Sequence, residues 1–360
     1  MEPLKDQFFN LPFYKKLTND LAEIYPKLDK TAFLKEVKKD YQQLELMQRL
    51  ELVSETLRNH LPAKYPDSLK VIYSLAPKIN GFAGMALPNF VQRYGLEHFD
   101  LSLDALKFLT PFSSSEFAIR VYLKEDFEKT ISKMEKWARD KNNHVRRLAS
   151  EGSRPRLPWS FKLDQVIQNP KNTAKIIDVL KKDEDLYVKK SVGNHLNDIS
   201  KDHPEYLLDT VSSWNLENKH TNWIVKRAIR TLVKDGHPRT FALLGFTNNP
   251  QFSIENFSLS KEEVKLGEEL HFSFIIKPLS SKNQKVNLDY LVYYQKKNGE
   301  LSPKVFKLKE IVLEPNQSYS IVKKHRFENF TTRKHYTGLH KIQLSINGAL
   351  QSSHNFKLTV

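Results

Sequence analysis

The chain has 360 residues, of which 39% are apolar, enough for two domains with cores of their own. It contains no cysteine, which excludes disulfides, thiolate nucleophiles, cysteine-ligated zinc and thiolate-held iron–sulfur clusters. Its formal charge of +15 points to a polyanionic partner, and nucleic acid is favoured over a membrane surface because there is no long basic amphipathic helix, lipidation signal or apolar run of roughly 18 residues.

Residues 1 to about 110 carry apolar residues at helical spacing, as in Phe33, Val37, Tyr41, Leu44, Met47, Leu50 and Val53. Prolines 62, 66, 77 and 88 are expected to break this region into short helices. No basic n-region followed by an apolar run opens the chain, so the expected location is the cytoplasm. Further on, Ser113 and Glu116 have the Ser-x-x-Glu spacing of a capping box, so on spacing alone Glu116 is expected to cap a helix.

Asn143–Trp159 is the most unusual stretch. It holds four arginines (Arg146, Arg147, Arg154, Arg156), one carboxylate (Glu151) and one large aromatic (Trp159). If Val145, Leu148 and Ala149 form the buried stripe of a short helix, Arg147 and Glu151 lie four apart on another face. A carboxylate is then held beside fork-shaped cations suited to phosphate. A helix-end salt bridge followed by a solvated basic loop would use the same residues. The Trp that follows Pro155 and Pro158 speaks against that reading, because an exposed loop has no packing need for it.

Three segments share a valine followed by two basic residues: Val145–Glu151, Val188–Asn194 and Val225–Thr231, spaced 43 and 37 residues apart. Ile119-Arg120 is a candidate shorter copy. Each of the three is preceded by a second amphipathic segment (127–138, 173–181, 204–214), so the unit is a helix pair of the HEAT type. Stacking such pairs would align Arg146/Arg147, Lys189/Lys190 and Lys226/Arg227, with Arg230, as a basic stripe along a duplex backbone, to which Arg154 and Arg156 of the loop would add.

Near residues 247–252 the texture changes to alternation at period two, in 270–276, 286–293, 320–322, 342–346 and 356–360. About seven short strands are expected, forming an antiparallel sandwich of immunoglobulin-like type. Residues 250–360 hold 17 Lys and Arg against 10 Asp and Glu, and the preceding residues 40 against 32, so the sandwich is the more basic part per residue. Lys323, Lys324, Arg326, Arg333 and Lys334 form its densest basic group and are the expected second nucleic-acid contact. The fold class is therefore multidomain α + β: an α-solenoid of HEAT-like helical repeats over residues 1–247, then an antiparallel immunoglobulin-like β-sandwich over residues 252–360.

No zincin, dinucleotide-binding, P-loop or nucleophile-elbow motif occurs, and the twelve histidines have no metal-ligand spacing, so neither a metal nor a cofactor is expected. What remains is a set of acids in basic or amide-rich surroundings: Glu116, Glu151 and Asp198. Glu151 lies six residues, and Asp198 ten, after the valine that opens its segment, near the ends of equivalent helices. Acids on a nucleic-acid face weaken phosphate binding. One purpose that offsets this is to stabilise a sugar cation or orient a water as a glycosidic bond breaks. Asp198 could equally cap a turn with Asn197.

Tyr94–Leu106, Ser115–Arg120, His144–Trp159, Val192–Lys201 and Trp223–Leu232 together resemble the AlkC branch of the HEAT-like-repeat DNA alkylation-repair glycosylases, some members of which carry a C-terminal immunoglobulin-like domain. The Glu-Gly-Ser-Arg-Pro-Arg-Leu-Pro-Trp string, residues 151–159, is its most specific part. The resemblance implies a monofunctional DNA glycosylase, a hydrolase of N-glycosyl bonds acting on N3-alkylated bases in duplex DNA, chiefly 3-methyladenine with 3-methylcytosine second. It implies a concave helical face and a sandwich that together hold bent DNA; separately, the lack of an exposed coiled coil favours a monomer, and the expected location is a bacterial cytoplasm. Glu116, Glu151 and Asp198 match the family's active-site acids, Arg147 a neighbouring cation and Trp159 an aromatic beside the lesion. Ser160-Phe161 departs from the glycine-containing continuation expected after Trp159. A non-catalytic HEAT-repeat DNA-binding scaffold is the competing reading.

Overall fold

Polar caps and prolines set the helix boundaries in the first half of the chain. In the computed structural model, which describes residues 2–329 and 334–360, Asn10 accepts from the Phe13 amide at 2.9 Å to start helix Leu11–Ile24. Asp29 caps Lys30–Val37 through the Thr31 and Ala32 amides, and Glu45 with Gln48 forms a capping box on Leu46–His60. The prolines expected as breakers act partly as starters: Pro66 lies at the beginning of Tyr65–Leu75, where its missing N–H leaves no helical bond unmade. The Ser113/Glu116 capping box does not form. Ser113 instead donates to the Gly81 carbonyl at 2.8 Å, and the next helix, Ile119–Glu125, begins without a side-chain cap.

Packing divides the chain into two units: residues up to Leu207 with Trp214–Ala228, and Leu208–Ser213 with Ile229–Val360. In the first unit the expected helix pairs appear as Phe127–Trp137 with Asn143–Gly152 and Ala174–Leu180 with Leu186–Ile199. The inner helices Asn143–Gly152, Leu186–Ile199 and Lys219–Ala228 stack side by side. Val145, Leu148 and Ala149 are buried as the spacing predicts. A glycine permits one of these contacts, and another the approach of Ile119–Glu125 to the first of the three helices. A Cβ on Gly193 would meet the Arg227 stem at 2.9 Å, and one on Gly152 would meet Ile119 at 2.4 Å. No helix among the described residues is long and apolar enough to cross a membrane.

Among the described residues the second unit holds eight strands, β1 (Phe252–Leu259), β2 (Glu263–Lys265), β3 (Glu269–Pro278), β4 (Gln284–Gln295), β5 (Leu301–Leu313), β6 (Tyr319–Arg326), β7 (Gly338–Ile346) and β8 (Ala349–Thr359). They form a three-stranded sheet, β1-β3-β6, and a five-stranded sheet, β2-β8-β7-β4-β5. One pair departs from the expected antiparallel pattern: β2 runs parallel to β8. Alternate side chains of β3 (Leu270, Phe272, Phe274, Ile276) and β4 (Leu288, Tyr290, Val292) meet Ile342, Leu344, Phe356 and Leu358 in the core between the sheets.

Helices Arg230–Lys234 and Pro238–Leu243 pack with this unit, although their secondary structure is that of the preceding half. Thr247 accepts from the Asn347 side-chain amide at 2.9 Å and donates its own amide to the Lys285 carbonyl at 2.8 Å. Gly236 and Gly348, both at positive φ, meet backbone to backbone, so that a Cβ on Gly348 would lie 2.5 Å from the Gly236 Cα. Gly348→Ala is therefore expected to lower unfolding stability by about 2 kcal/mol or more, through left-handed strain plus overlap. Gly267→Ala, also at positive φ but with nothing within 4 Å, should carry only the strain. Denaturant unfolding of the two variants makes the comparison.

Candidate active site

The first unit holds a line of alternating charges that is buried at its centre and opens to solvent at Lys201. Arg147 donates through Nη1 to Glu116 Oε2 at 2.5 Å and to Ser114 Oγ at 3.0 Å, while its Nη2 lies 3.7 Å from Glu151 Oε1. Arg154 donates through Nη1 to the same Glu151 oxygen at 2.7 Å and through Nε to Asp198 Oδ2 at 2.8 Å. Lys201 closes the line 3.2 Å from Asp198 Oδ1. The order is thus Glu116, Arg147, Glu151, Arg154, Asp198, Lys201. The three acids singled out in the sequence, more than eighty residues apart at the extremes, are brought together by two guanidinium forks.

Local sequence explains the geometry. Arg147 and Glu151 are one turn apart on Asn143–Gly152, which ends at Gly152 and turns Arg154 back under the helix. Asp198 comes from the last turn of Leu186–Ile199. Arg120, fully buried, locks the turn by donating to the carbonyls of Gly152 at 3.0 Å, Arg154 at 2.6 Å and Phe161. Its guanidinium also lies over the Phe161 ring, 5.4 Å from the centroid. Phe161, the departure after Trp159, therefore closes the turn over Arg120.

Burial pushes the Glu151 carboxyl pKa up, but Arg147 and Arg154 more than offset this and hold it below the ordinary carboxylate value. Ser191 also lies beside Glu151, although its hydroxyl makes no hydrogen bond of ordinary geometry. Burial likewise works against the charge on Arg154, while Glu151 and Asp198 raise its pKa overall. Arg120 is drawn down to about 10 by burial and by the Arg154 charge, which leaves it a cation at neutral pH. Glu151 is thus a fixed anion, suited to electrostatic stabilisation and to accepting a hydrogen bond from water, not to donating a proton.

Trp159 does not join this line. It is 68% exposed, lies in the left-handed region at φ 65°, and packs edge-on to Phe82 with centroids 6.4 Å apart. A bulky residue rarely adopts that conformation. It shares a cavity of about 420 Å³ with Ser114, whose hydroxyl donates to Glu116 at 2.8 Å. Among the described residues no His, Asp and Glu side chains converge in a group that could hold a metal ion.

Of the residues expected to hold DNA, Arg154 has a side chain only 8% exposed, with its donors facing Glu151 and Asp198 as an internal bridge. Arg146 is paired with Asp183 at 2.6 Å and Arg156 with Asp202 at 2.7 Å. Lys189 bonds His220 at 3.1 Å, and both Lys189 and Arg227 lie 5.7 Å from the Trp223 centroid. Lys190 and Lys226 are exposed, and Arg230 is half-buried. In the second unit Lys323 is half-buried on β6, Lys324 lies 3.1 Å from Glu269 and Arg326 3.5 Å from Glu328, while Lys334 is exposed; Arg333 lies outside the described residues.

Sequence reasoning missed four contributors: Ser114, Arg120, Tyr187 and His195. Tyr187 stacks under Arg147 with the guanidinium 4.3 Å from its ring centroid. His195 is fully buried on the apolar face of Leu186–Ile199, where Nδ1–H donates to the Ser150 carbonyl at 2.9 Å, leaving Nε2 to accept from Thr173 Oγ1 at 3.1 Å. Its place in the row Val188, Val192, His195, Ile199, like that of Arg120 in Ala118-Ile-Arg-Val-Tyr-Leu123, was the available signal.

Burial holds the His195 pKa down at about 4 against an ordinary 6.5, so the unfolded chain binds the extra proton first. Stability from this group is complete above pH ~6.5 and is lost as pH falls towards 4, by about 3 kcal/mol. Wild-type unfolding curves between pH 7 and 4 should show that loss, and His195→Gln should flatten it. A second comparison tests the buried bridge. Arg154→Ala strands two carboxylates and is expected to cost about 3–5 kcal/mol, whereas Arg156→Ala should stay within about 1 kcal/mol, as read by chemical unfolding.

The comparisons with known proteins point to one family. Residues 110–232 match the family model of the DNA alkylation repair enzyme, and residues 253–360 match the C-terminal Ig-like domain of the uncharacterised protein YhaZ. The chain is 38% identical to YhaZ of Bacillus subtilis (strain 168) over 359 residues, covering 99% of this chain and 100% of that protein. It is also similar to the Pseudomonas fluorescens alkylpurine DNA glycosylase AlkC bound to DNA containing an abasic-site analogue, at 42% identity, a TM-score of 0.94 and full coverage of both chains. The chain belongs to the AlkC branch of the HEAT-like-repeat DNA alkylation-repair glycosylases, with a C-terminal immunoglobulin-like domain.

Proposed function

We propose that this chain is a monofunctional glycosylase that hydrolyses the N-glycosidic bond of N3-alkylated bases, chiefly 3-methyladenine and also 3-methylcytosine, in duplex DNA, and so opens base excision repair. The observation that carries the reading is the line of three carboxylates, buried at Glu151 and Asp198 and half-buried at Glu116, with Glu151 at its centre held ionised by two arginines. An N3-alkylated base is already a cation and leaves as a neutral molecule when the C1′–N bond breaks with its electron pair. The site then has little need of a general acid. It must instead stabilise positive charge growing on the sugar and orient a water to C1′.

Both arginine contacts of Glu151 fall on Oε1, so Oε2 is the oxygen assigned to the sugar cation and the water. Glu116 and Asp198 extend the negative field on either side. Arg147, whose guanidinium already sits between Glu116 and Glu151, is the candidate cation at a phosphate beside the lesion. Trp159, exposed and held in a strained backbone conformation, offers a ring against which a displaced base can pack. Duplex DNA carrying the alkylated base is the partner, and no cofactor enters the chemistry. The bacterial cytoplasm is the proposed location and a monomer the proposed state.

Release of free base from methylated duplex DNA, with 3-methyladenine, 3-methylcytosine and 7-methylguanine quantified separately, tests the proposal. Glu151→Gln should lower release of the N3 lesions by about a hundredfold or more, a loss of roughly 3 kcal/mol of transition-state stabilisation, with DNA affinity nearly unchanged. Tight, salt-sensitive binding without release by the wild type would leave a non-catalytic HEAT-repeat DNA-binding scaffold.

A further inference from the structure

The helix pair Leu11–Ile24 and Lys30–Val37 encloses a groove of about 460 Å³ lined by Lys15, Lys30, Lys35 and Lys38, with Asn19 and Thr31 between them. All four lysines are exposed, and among the described residues none makes an ion pair. The nearby acids are committed elsewhere. Asp20 pairs with Lys16 at 2.5 Å, Glu23 with Lys78 at 2.7 Å, Asp29 caps its helix through two backbone amides, and Glu36 accepts from Asn59 and His60. The arrangement is the reverse of that around the carboxylate line, where the cations answer acids.

We propose that this groove is a separate docking surface for the phosphate backbone of duplex DNA flanking the lesion. Lys30 to Lys38 spans about 12 Å along the helix, close to the axial rise of three to four phosphates of one strand. The second row, from Lys15, lies on the neighbouring helix. The only apolar side chain in the lining is half-buried Leu34, so the groove has neither an insertable aromatic nor an exposed apolar stripe for a membrane surface. The groove shares no lining residue with the cavity of Trp159 and Ser114: Leu46–His60 packs on Lys30–Val37 and itself lines that cavity, so it stands between the two. It therefore meets DNA away from the reacting sugar. The inference rests on the DNA reading of the preceding section, though not on excision itself.

The test uses the full-length protein with Lys15, Lys30, Lys35 and Lys38 all changed to Ala. Its control changes Lys70, Lys129, Lys133 and Lys181, each paired with an aspartate, so that net charge falls equally. Binding to undamaged duplexes of about 30 and about 12 base pairs is measured against salt. On the longer duplex the groove variant should bind about tenfold or more weakly, and its log–log salt slope should flatten by about 3, at roughly 0.9 per lost phosphate contact. The control should change little, and a Lys→Arg version at the same four positions should keep wild-type affinity. Equal weakening by the control, an unchanged slope, or loss on the short duplex as large as on the long one would overturn the proposal. So would unaltered DNA binding with lost affinity for anionic phospholipid vesicles. Base release from the short methylated duplex is read in parallel. If release is normal and the slope unchanged, the groove fails alone; if the slope flattens but wild-type protein releases no base, the glycosylase reading fails alone.

Discussion

Everything at the centre of the first unit depends on two guanidinium groups shared among three carboxylates. A buried carboxylate is costly, and a single buried ion pair often fails to recover the desolvation of its members. Here each arginine serves two acids, and Glu151 lies within reach of both arginines. The forked, permanently charged head of arginine is what makes this sharing possible, since an ammonium group cannot present two separate edges in fixed directions. Remove either fork and the acids become either protonated or exposed to solvent.

That network depends in turn on backbone carbonyls. The turn after Asn143–Gly152 would leave the carbonyls of Gly152 and Arg154 without helical partners, and Arg120 supplies their donor from a neighbouring helix. The chain thus uses one fully buried arginine to shape a loop and two others to charge it. Tyr187 and His195 hold the neighbouring helix against this assembly, the one by stacking on Arg147 and the other by bonding the Ser150 carbonyl. The basic character of the sequence divides accordingly: most arginines near the site are internal ties, and the uncompensated positive charge lies on lysines elsewhere.

Much of this was legible in the sequence, for reasons that differ by element. Val145, Leu148 and Ala149 were readable because helical period and burial coincide, and the Arg147/Glu151 relation followed from one turn of spacing. The inward rows of β3 and β4 were readable for the same reason at period two. Glu116 was misread as a helix cap because spacing cannot see Arg147, thirty-one residues away, competing for its carboxylate. Arg154 looked like a loop cation because nothing local announces Asp198, forty-four residues on. The parallel β2–β8 pair escaped because a three-residue strand has too little alternation to register. The roles of Glu116, Glu151, Asp198, Arg147 and Trp159 came from resemblance, and the structure adds the geometry in which those roles are proposed.

The change of texture near residue 250 and the change of packing near residue 228 are different boundaries. Residues 229–247 are helical like what precedes them, yet their tertiary partners are Lys285, Asn347 and Gly348. Secondary structure and packing therefore draw the boundary at different places. A fragment ended at the last helix would carry two short helices parted from the strands they pack on, whereas one ended after Ala228 would leave them with those strands but part them from Leu208–Ser213, whose Asp209 pairs with Arg239 at 2.6 Å.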